Sequence, residues 1–600
     1  MDVMPTTTAV TGAAGSVRAL RRWLICAALP VVAACASGAD KPPVGINLAV
    51  SRPASAEDNP FTLAGDKFVA ITAEVPGKPD GEYRVVKPYK AGMALDLECA
   101  GTKCVGIPYT AGVQVRVELW SSNNGQISPP VVGRGRSVAV DVLTKGSAAK
   151  KVSPYVTRTN RFAPAEGATG TAAIIPGLAG SAAVAQRTSD GGVLIIGGAE
   201  ALPGKTDAYN AASYTNFSDA IAKYLPNERL AGMSSDLGPE HRLKTGRAFH
   251  GAAAGKSVIA VVGGYVVGEK GPKVTGTIEY IGAGDKVFTS KSGSPDLKIA
   301  RAGATVIALF DDDDYFLILG GKGEANCKTE TYCAGNTWEL WHKDQGNVAQ
   351  GQLNTARWNH ASVRLPAADG GYVMLIGGEN EDGVLQTFEV IQFSKQGVVS
   401  QKGQVCNEAI KIFGPCDKTS FMWEPLTQSL PVARTLPGAA FVSVPRGSQA
   451  LDYRHVYIVG GYEDAKHTKP IARMDVFNID DGNYLNADGW PMQVARGAPM
   501  VAVVPHGPNE GQVLIAGGSK DDTKHISSAE FVYVTVDRAT GKPVPSIQLV
   551  PVENDMPGGG RALGNVVTLN TGHVLLSGGM GVGANNDLTG QNELALWNPF

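Results

Sequence analysis

Six arginines stand at matching places along the chain: Arg247, Arg301, Arg357, Arg434, Arg496 and Arg561. Small and apolar residues follow each, as in "GRAFHGAAA", "ARAGATVIAL" and "ARWNHASV". An acid comes 32 to 41 residues later: Glu279, Glu339, Glu389, Asp475, Glu530 and Glu593. A guanidinium and a carboxylate in register can do two things. They can tie a folding unit together through charge-assisted hydrogen bonds. Alternatively, six cations gathered at one mouth can grip an acidic sugar or a protein tail. Six near-identical arginines suit a symmetric scaffold better than one asymmetric ligand, so the tie is the leading expectation and the charged mouth its rival. His250 and His360 lie three residues after two of the arginines and join them as candidate binding residues.

Other residues with chemistry give weaker leads. The stretch "FDDDDYF" sets Asp311 to Asp314 in a row. Such a run reads first as a solvated turn and only second as a calcium site, because its spacing matches no calcium loop. Six cysteines form three local pairs, Cys99–Cys104, Cys327–Cys333 and Cys406–Cys416. An even count in an exported chain reads as disulfides, and unequal spacings without neighbouring histidines argue against zinc. Neither a Gly-x-Ser-x-Gly elbow nor a metalloprotease helix is present. No catalytic residue, cofactor or metal is expected. The formal net charge of −2 provides no basic footprint and argues against nucleic acid as a partner.

A repeat would position these residues. Seven apolar stretches end in a glycine doublet: Gly197–Gly198, Gly263–Gly264, Gly320–Gly321, Gly377–Gly378, Gly460–Gly461, Gly517–Gly518 and Gly578–Gly579. Their intervals are 66, 57, 57, 83, 57 and 61 residues, a period that means stacked or circular units. Between each arginine and its doublet lies a turn, which makes a hairpin. Downstream comes an acidic-aromatic strand such as "TIEYI" or "TWELW", then a weaker fourth strand such as "GWPMQVAR". The first copy, "AAIIPGLAGSAAV", lacks the arginine, and Ala173 falls near its expected place. This order resembles the kelch motif and covers residues 153–600. The resemblance implies an all-β fold, a seven-bladed kelch-type β-propeller with four antiparallel strands per blade around a channel. Six hundred residues exceed one ordinary domain, and 74 glycines suit a turn-rich β protein. The last copy stops at its third strand, "NELALWNPF". "SPYVTRTNRF", Ser153 to Phe162, precedes the first copy without a partner and is expected to supply the missing strand.

The remaining segments suggest an address and a second unit. Residues 1–34 read as a signal peptide: Arg18, Arg21 and Arg22 precede the apolar run "WLICAALPVVAA". "VAAC" resembles the bacterial lipobox, which implies cleavage before Cys35, acylation of its thiol, a tether over 35–45 and an outer-membrane address. Residues 46–148 carry short alternating strands and are expected to form a small immunoglobulin-like β-sandwich. The leading function is an envelope lipoprotein whose propeller loops bind a surface protein or glycan. The alternatives are a periplasmic enzyme resembling kelch-type acidic-sugar isomerases and a structural subunit of an envelope complex. Glycan binding calls for exposed aromatics, with Trp338, Trp341, Trp358 and Trp423 as candidates and the first two expected in strand cores. Kelch-type copper oxidases place histidines and a cysteine-linked tyrosine near the axis. The sequence shows no Tyr-His pair, so no copper radical site is expected.

Overall fold

The computed structural model describes residues 46–599, apart from the longer stretches 96–109, 143–149, 167–174, 290–295, 395–428, 445–452, 505–511 and 534–547 and a few shorter gaps. The signal segment, Cys35 and its tether, the Cys99–Cys104 and Cys406–Cys416 pairs and Trp423 lie outside the described residues.

Each repeat folds as expected of a hairpin extended by further strands. In the second repeat, Gly251–Ala254, Ile259–Val262, Ile278–Ile281 and Val287–Thr289 form one antiparallel sheet in chain order. The first, third and sixth repeats repeat this pattern with four strands each. The fourth shows three strands among the described residues, and the fifth divides its outer strand into two short pieces, Asn483–Tyr484 and Trp490–Pro491. The second strand of the first, second, sixth and seventh repeats is buried throughout, as in Ile259–Val262 and Val574–Ser577, because apolar neighbours cover both of its faces.

The sheets follow one another in a cyclic order of contacts. The first strand of each sheet lies against the first strand of the next, and Asn565–Thr568 of the seventh returns to Ala182–Ala185 of the first. The glycine doublets make this approach possible. The Gly264 amide donates to the carbonyl of Arg301 in the following repeat at 2.9 Å, and equivalent bonds join every neighbouring pair. A Cβ at Gly263 would stand 2.3 Å from that same carbonyl oxygen, and both glycines hold φ values, +64° and +100°, that other residues rarely adopt. In the last such bond, Gly579 donates to the carbonyl of Leu178 at 3.3 Å. Leu178 therefore takes the place of the missing arginine in the first repeat, a place the sequence had suggested near Ala173.

The seventh sheet is completed by Arg161–Pro164, which pairs antiparallel with Ala595–Asn598. The partner is the expected one, but the pairing lies further along the chain than Ser153–Phe162. Thr157–Arg158 pairs instead with Gly133 and Arg134, and Tyr155 bridges to Ser51, so the N-terminal unit holds the first part of that stretch.

Among the described residues, the N-terminal unit shows one large sheet and one short strand pair. One six-stranded sheet contains Lys67–Glu74, Tyr83–Pro88, Thr110–Asn123, Gln126–Arg136, Val140–Val142 and Thr157–Arg158. Ile46–Leu48 pairs in parallel with Lys150–Val152, and an apolar cluster including Val69, Ile71, Val115, Val142 and Val152 links the two. Asn598 anchors this unit to the seventh sheet by donating to the carbonyls of Arg134 at 2.9 Å and Thr157 at 3.0 Å.

Candidate functional site

All six arginines are fully buried. Their terminal guanidinium nitrogens donate within their own repeats. Arg357 donates to the Gly377 carbonyl at 2.7 Å and to Glu389 Oε1 at 2.6 Å. Arg301 reaches the Gly320 carbonyl at 3.0 Å and Glu339 at 3.1 Å, and Arg496 reaches Gly517 at 3.0 Å and Glu530 at 3.2 Å. Arg247 bonds Glu279 and Arg434 bonds Asp475 in the same manner. The acids also accept from the chain that leads into the arginine: Glu389 from the amides of Asn354 at 2.9 Å and Thr355 at 3.0 Å. Burial lowers the arginine pKa values, and the paired acid opposes the shift. Arg561 differs. Its guanidinium donates to the backbone carbonyls of Pro557 at 2.6 Å and Glu593 at 3.2 Å. This arrangement is the tie and leaves no guanidinium surface for a ligand.

His250 and His360 are wedged between successive doublets. A Cβ on Gly320 would approach His360 Cε1 to 2.8 Å, and one on Gly378 would approach its Cβ to 3.0 Å. His360 Nε2 meets Thr305 Oγ1 at 3.1 Å, whereas neither ring nitrogen of His250 has a partner. Burial, then the adjacent arginine, lowers both rings to about 3, so they are neutral packing groups near pH 7.

The acidic turn is occupied by protein groups. Asp311 accepts from Arg187 at 2.9 Å and Arg364 at 3.1 Å, which draws three sheets together. Asp313 faces His342 at 3.3 Å, and Asp314 accepts from the Ser257 amide at 2.9 Å. Of the three cysteine pairs, Cys327–Cys333 is present as a disulfide in the loop after the third doublet.

Asymmetry is concentrated where the chain leaves the doublets. Seven bridges join the residue after each doublet to the residue after the arginine, or to Ala179 after Leu178 in the first repeat. The seven residues after the doublets are Ala199, Tyr265, Lys322, Glu379, Tyr462, Ser519 and Met580. The third to fifth repeats place a lysine, a carboxylate and a phenol side by side in this column. Lys322 Nζ lies 5.7 Å from the Trp358 ring centroid. Glu379 Oε1 accepts from Trp358 Nε1 at 2.9 Å and Asn359 Nδ2 at 3.0 Å. Its Oε2 stands 3.6 Å from His467 Nε2. Burial would raise the Glu379 carboxyl, but His467, Trp358 and Asn359 outweigh it and hold the group below the ordinary glutamate value.

A loop of the first repeat crosses to this corner. Glu200–Ala201 pairs with Tyr214–Thr215, and the Asn210 side chain caps a short helical turn between them by accepting from the Ala212 amide at 3.0 Å. The Lys205 carbonyl accepts from Leu588 of the seventh repeat at 2.9 Å. The Tyr209 hydroxyl meets that of Tyr462 in the fifth repeat at 3.1 Å, and its ring centroid is 4.9 Å from that of His467. A side-chain contact thus links the first repeat to the fifth.

No protein-family model matches this chain. No curated protein matches it either.

Trp338 and Trp341 are core residues, 4% and 1% exposed, whereas Trp358 is half-buried beside Lys322. Sequence reading had singled out neither Glu379, His467, Tyr209 nor Lys322. The column of residues after the doublets, read down the seven copies, carries the signal for the corner. Nothing local announces that Tyr209 crosses to it.

Proposed function

We propose that the seven sheets are the blades of a kelch-type propeller closed by the borrowed strand Arg161–Pro164. We further propose that the chain is an exported, lipid-anchored binding scaffold of the outer membrane. The surface beyond the glycine doublets presents its loops to an envelope or surface protein or to a glycan. One observation carries this reading. The repeated charges are consumed inside each sheet, while departures from the repeat gather on the doublet side around Lys322, Trp358, Glu379 and His467. Half-buried aromatics beside fixed polar groups suit recognition. The Cys327–Cys333 bond closes a loop near this corner, and the Cys327 amide donates to Glu381 at 2.9 Å, which fixes its shape.

The test is capture from detergent-solubilised bacterial envelope and binding to an immobilised glycan array, using the intact chain and Trp358→Ala. Capture that Trp358→Ala weakens supports the scaffold. A chain that captures nothing yet turns over an acidic sugar reverses the reading in favour of a sugar-modifying enzyme. Lipid attachment is tested separately: Cys35→Ala is expected to abolish incorporation of labelled palmitate, and retained labelling would refute the anchor.

A further inference from the structure

We propose that Glu379 and His467 form a recessed subsite for a saccharide hydroxyl, with Tyr209 as its cover. This rests on the reading of the doublet side as the binding surface and specifies what part of it recognises.

Two atoms at this corner stand without a hydrogen bond. Glu379 Oε2 and His467 Nε2 are both buried and neither has a hydrogen-bond partner. Their 3.6 Å separation is beyond hydrogen-bond reach. The side chains are only 9% and 12% exposed, so bulk solvent reaches them little. Leaving such groups unbonded is costly, and native structures rarely tolerate it without a reason. The carboxylate cannot simply turn to relieve itself, because Trp358 and Asn359 hold its other oxygen.

The geometry selects the occupant. The carboxylate oxygen only accepts, and an imidazole Nε2–H donates. A hydroxyl is the smallest group that can donate to the first and accept from the second. With the two atoms 3.6 Å apart, a point about 2.8 Å from both exists, the usual length of such bonds. A free anion would be repelled by Glu379, whereas a neutral hydroxyl of any sugar is not. Apolar walls come from two phenol rings, Tyr209 at 4.9 Å and Tyr462 at 5.2 Å from the His467 centroid. Tyr462 is a fixed wall: it is fully buried, and a Cβ on Gly497 would lie 1.8 Å from its ring. Tyr209 is carried by a loop whose residues 203–206 are exposed, and its hydroxyl contact with Tyr462 at 3.1 Å is what a sugar would have to displace. None of the other six residues after the doublets is a carboxylate.

The experiment measures saturation-transfer NMR and calorimetric binding of glucose, galactose, N-acetylglucosamine and glucuronate to the full chain and to Glu379→Gln and Tyr209→Ala, with thermal unfolding of each. The proposal expects at least one sugar to bind. It expects Glu379→Gln to weaken that binding about tenfold or more, as for loss of a charged hydrogen bond. Tyr209→Ala is expected to bind at least as tightly and faster. Equal binding by the intact chain and a folded Glu379→Gln would overturn it. So would the absence of binding by both the intact chain and a folded Tyr209→Ala, which makes the pair a structural ion pair or water site only. Envelope partners still captured while no sugar binds would sink the subsite and leave the scaffold standing.

Discussion

The second to sixth repeats and the junction of the seventh with the first reach the same end by different means. In the former, a buried guanidinium joins the carbonyl of the doublet to the acid of the third strand, as in Arg357 with Gly377 and Glu389. At the junction this device fades. Arg561 donates to the backbone carbonyls of Glu593 and Pro557, and the Leu178 side chain has no hydrogen-bonding group. What replaces it is chain connectivity. Phe162 pairs with Trp597, and Asn554 both accepts from the Phe162 amide at 2.8 Å and donates to its carbonyl at 3.0 Å. Phe162, Trp597 and Phe531 share one apolar cluster. A repeated unit can therefore carry its own fastener, whereas a seam between chain segments far apart in sequence is held by strand exchange and packing.

The largest effect is expected from deleting Arg161–Pro164. This uncovers the edge of Ala595–Asn598 and removes Phe162 from its cluster, so cooperative unfolding should break into more than one transition and the seventh sheet should become protease-sensitive. An unchanged single melting transition would abolish the distinction between seam and repeat.

Acid comes next. His250 and His360, in the repeat bodies, have pKa values lowered to about 3, and His573, which meets Thr157 Oγ1 at 3.2 Å in the seam, to about 4, in each case mainly by burial. The unfolded chain binds protons at these rings from about pH 6.5 downward and the folded chain does not. Stability is therefore full above that value and falls as pH drops towards 4 and then 3. Melting temperature against pH should show this slope, reduced in His250→Gln and in His573→Gln. A slope untouched by both would show that the rings are not the acid-sensitive groups.

Arg357→Met leaves Glu389 buried without its cation and is expected to cost about 3–5 kcal/mol in chemical denaturation. Arg561→Met strands only neutral carbonyls, so about 1–3 kcal/mol is expected. Equal losses would erase the contrast between the two regions. The smallest effect is expected from Cys327→Ser with Cys333→Ser, about 2 kcal/mol at most from loop entropy and confined to the loop, read by local hydrogen exchange rather than by global melting.

Much of the architecture was legible because it repeats. Seven doublets and six arginines at steady intervals fix where strands begin and end, and an apolar run before each doublet marks the strand buried on both faces. The arginine–acid tie could be foreseen from register alone. Its depth could not, since exposure depends on neighbouring sheets. The exact closing strand was misplaced by a few residues because "SPYVTRTNRF" is β-prone throughout; competition between the N-terminal sheet and the seventh sheet divides it at Asn160, whose φ of +55° turns the chain. The corner at Glu379 was missed for the opposite reason. It exists only where repeats differ, and contacts such as Tyr209 with Tyr462 join residues 253 positions apart.

The exchanged strand also sets a schedule for synthesis. Phe162 and Trp597 stand 435 residues apart in the chain. At the usual pace of translation, roughly 5–20 residues per second, the early strand waits on the order of 20–90 s before its partner exists. During that interval its backbone amides and carbonyls are open to any other β-edge. A protein joined in this way depends on something occupying that strand, whether solvent, a chaperone or its own N-terminal sheet, until the last residues are made.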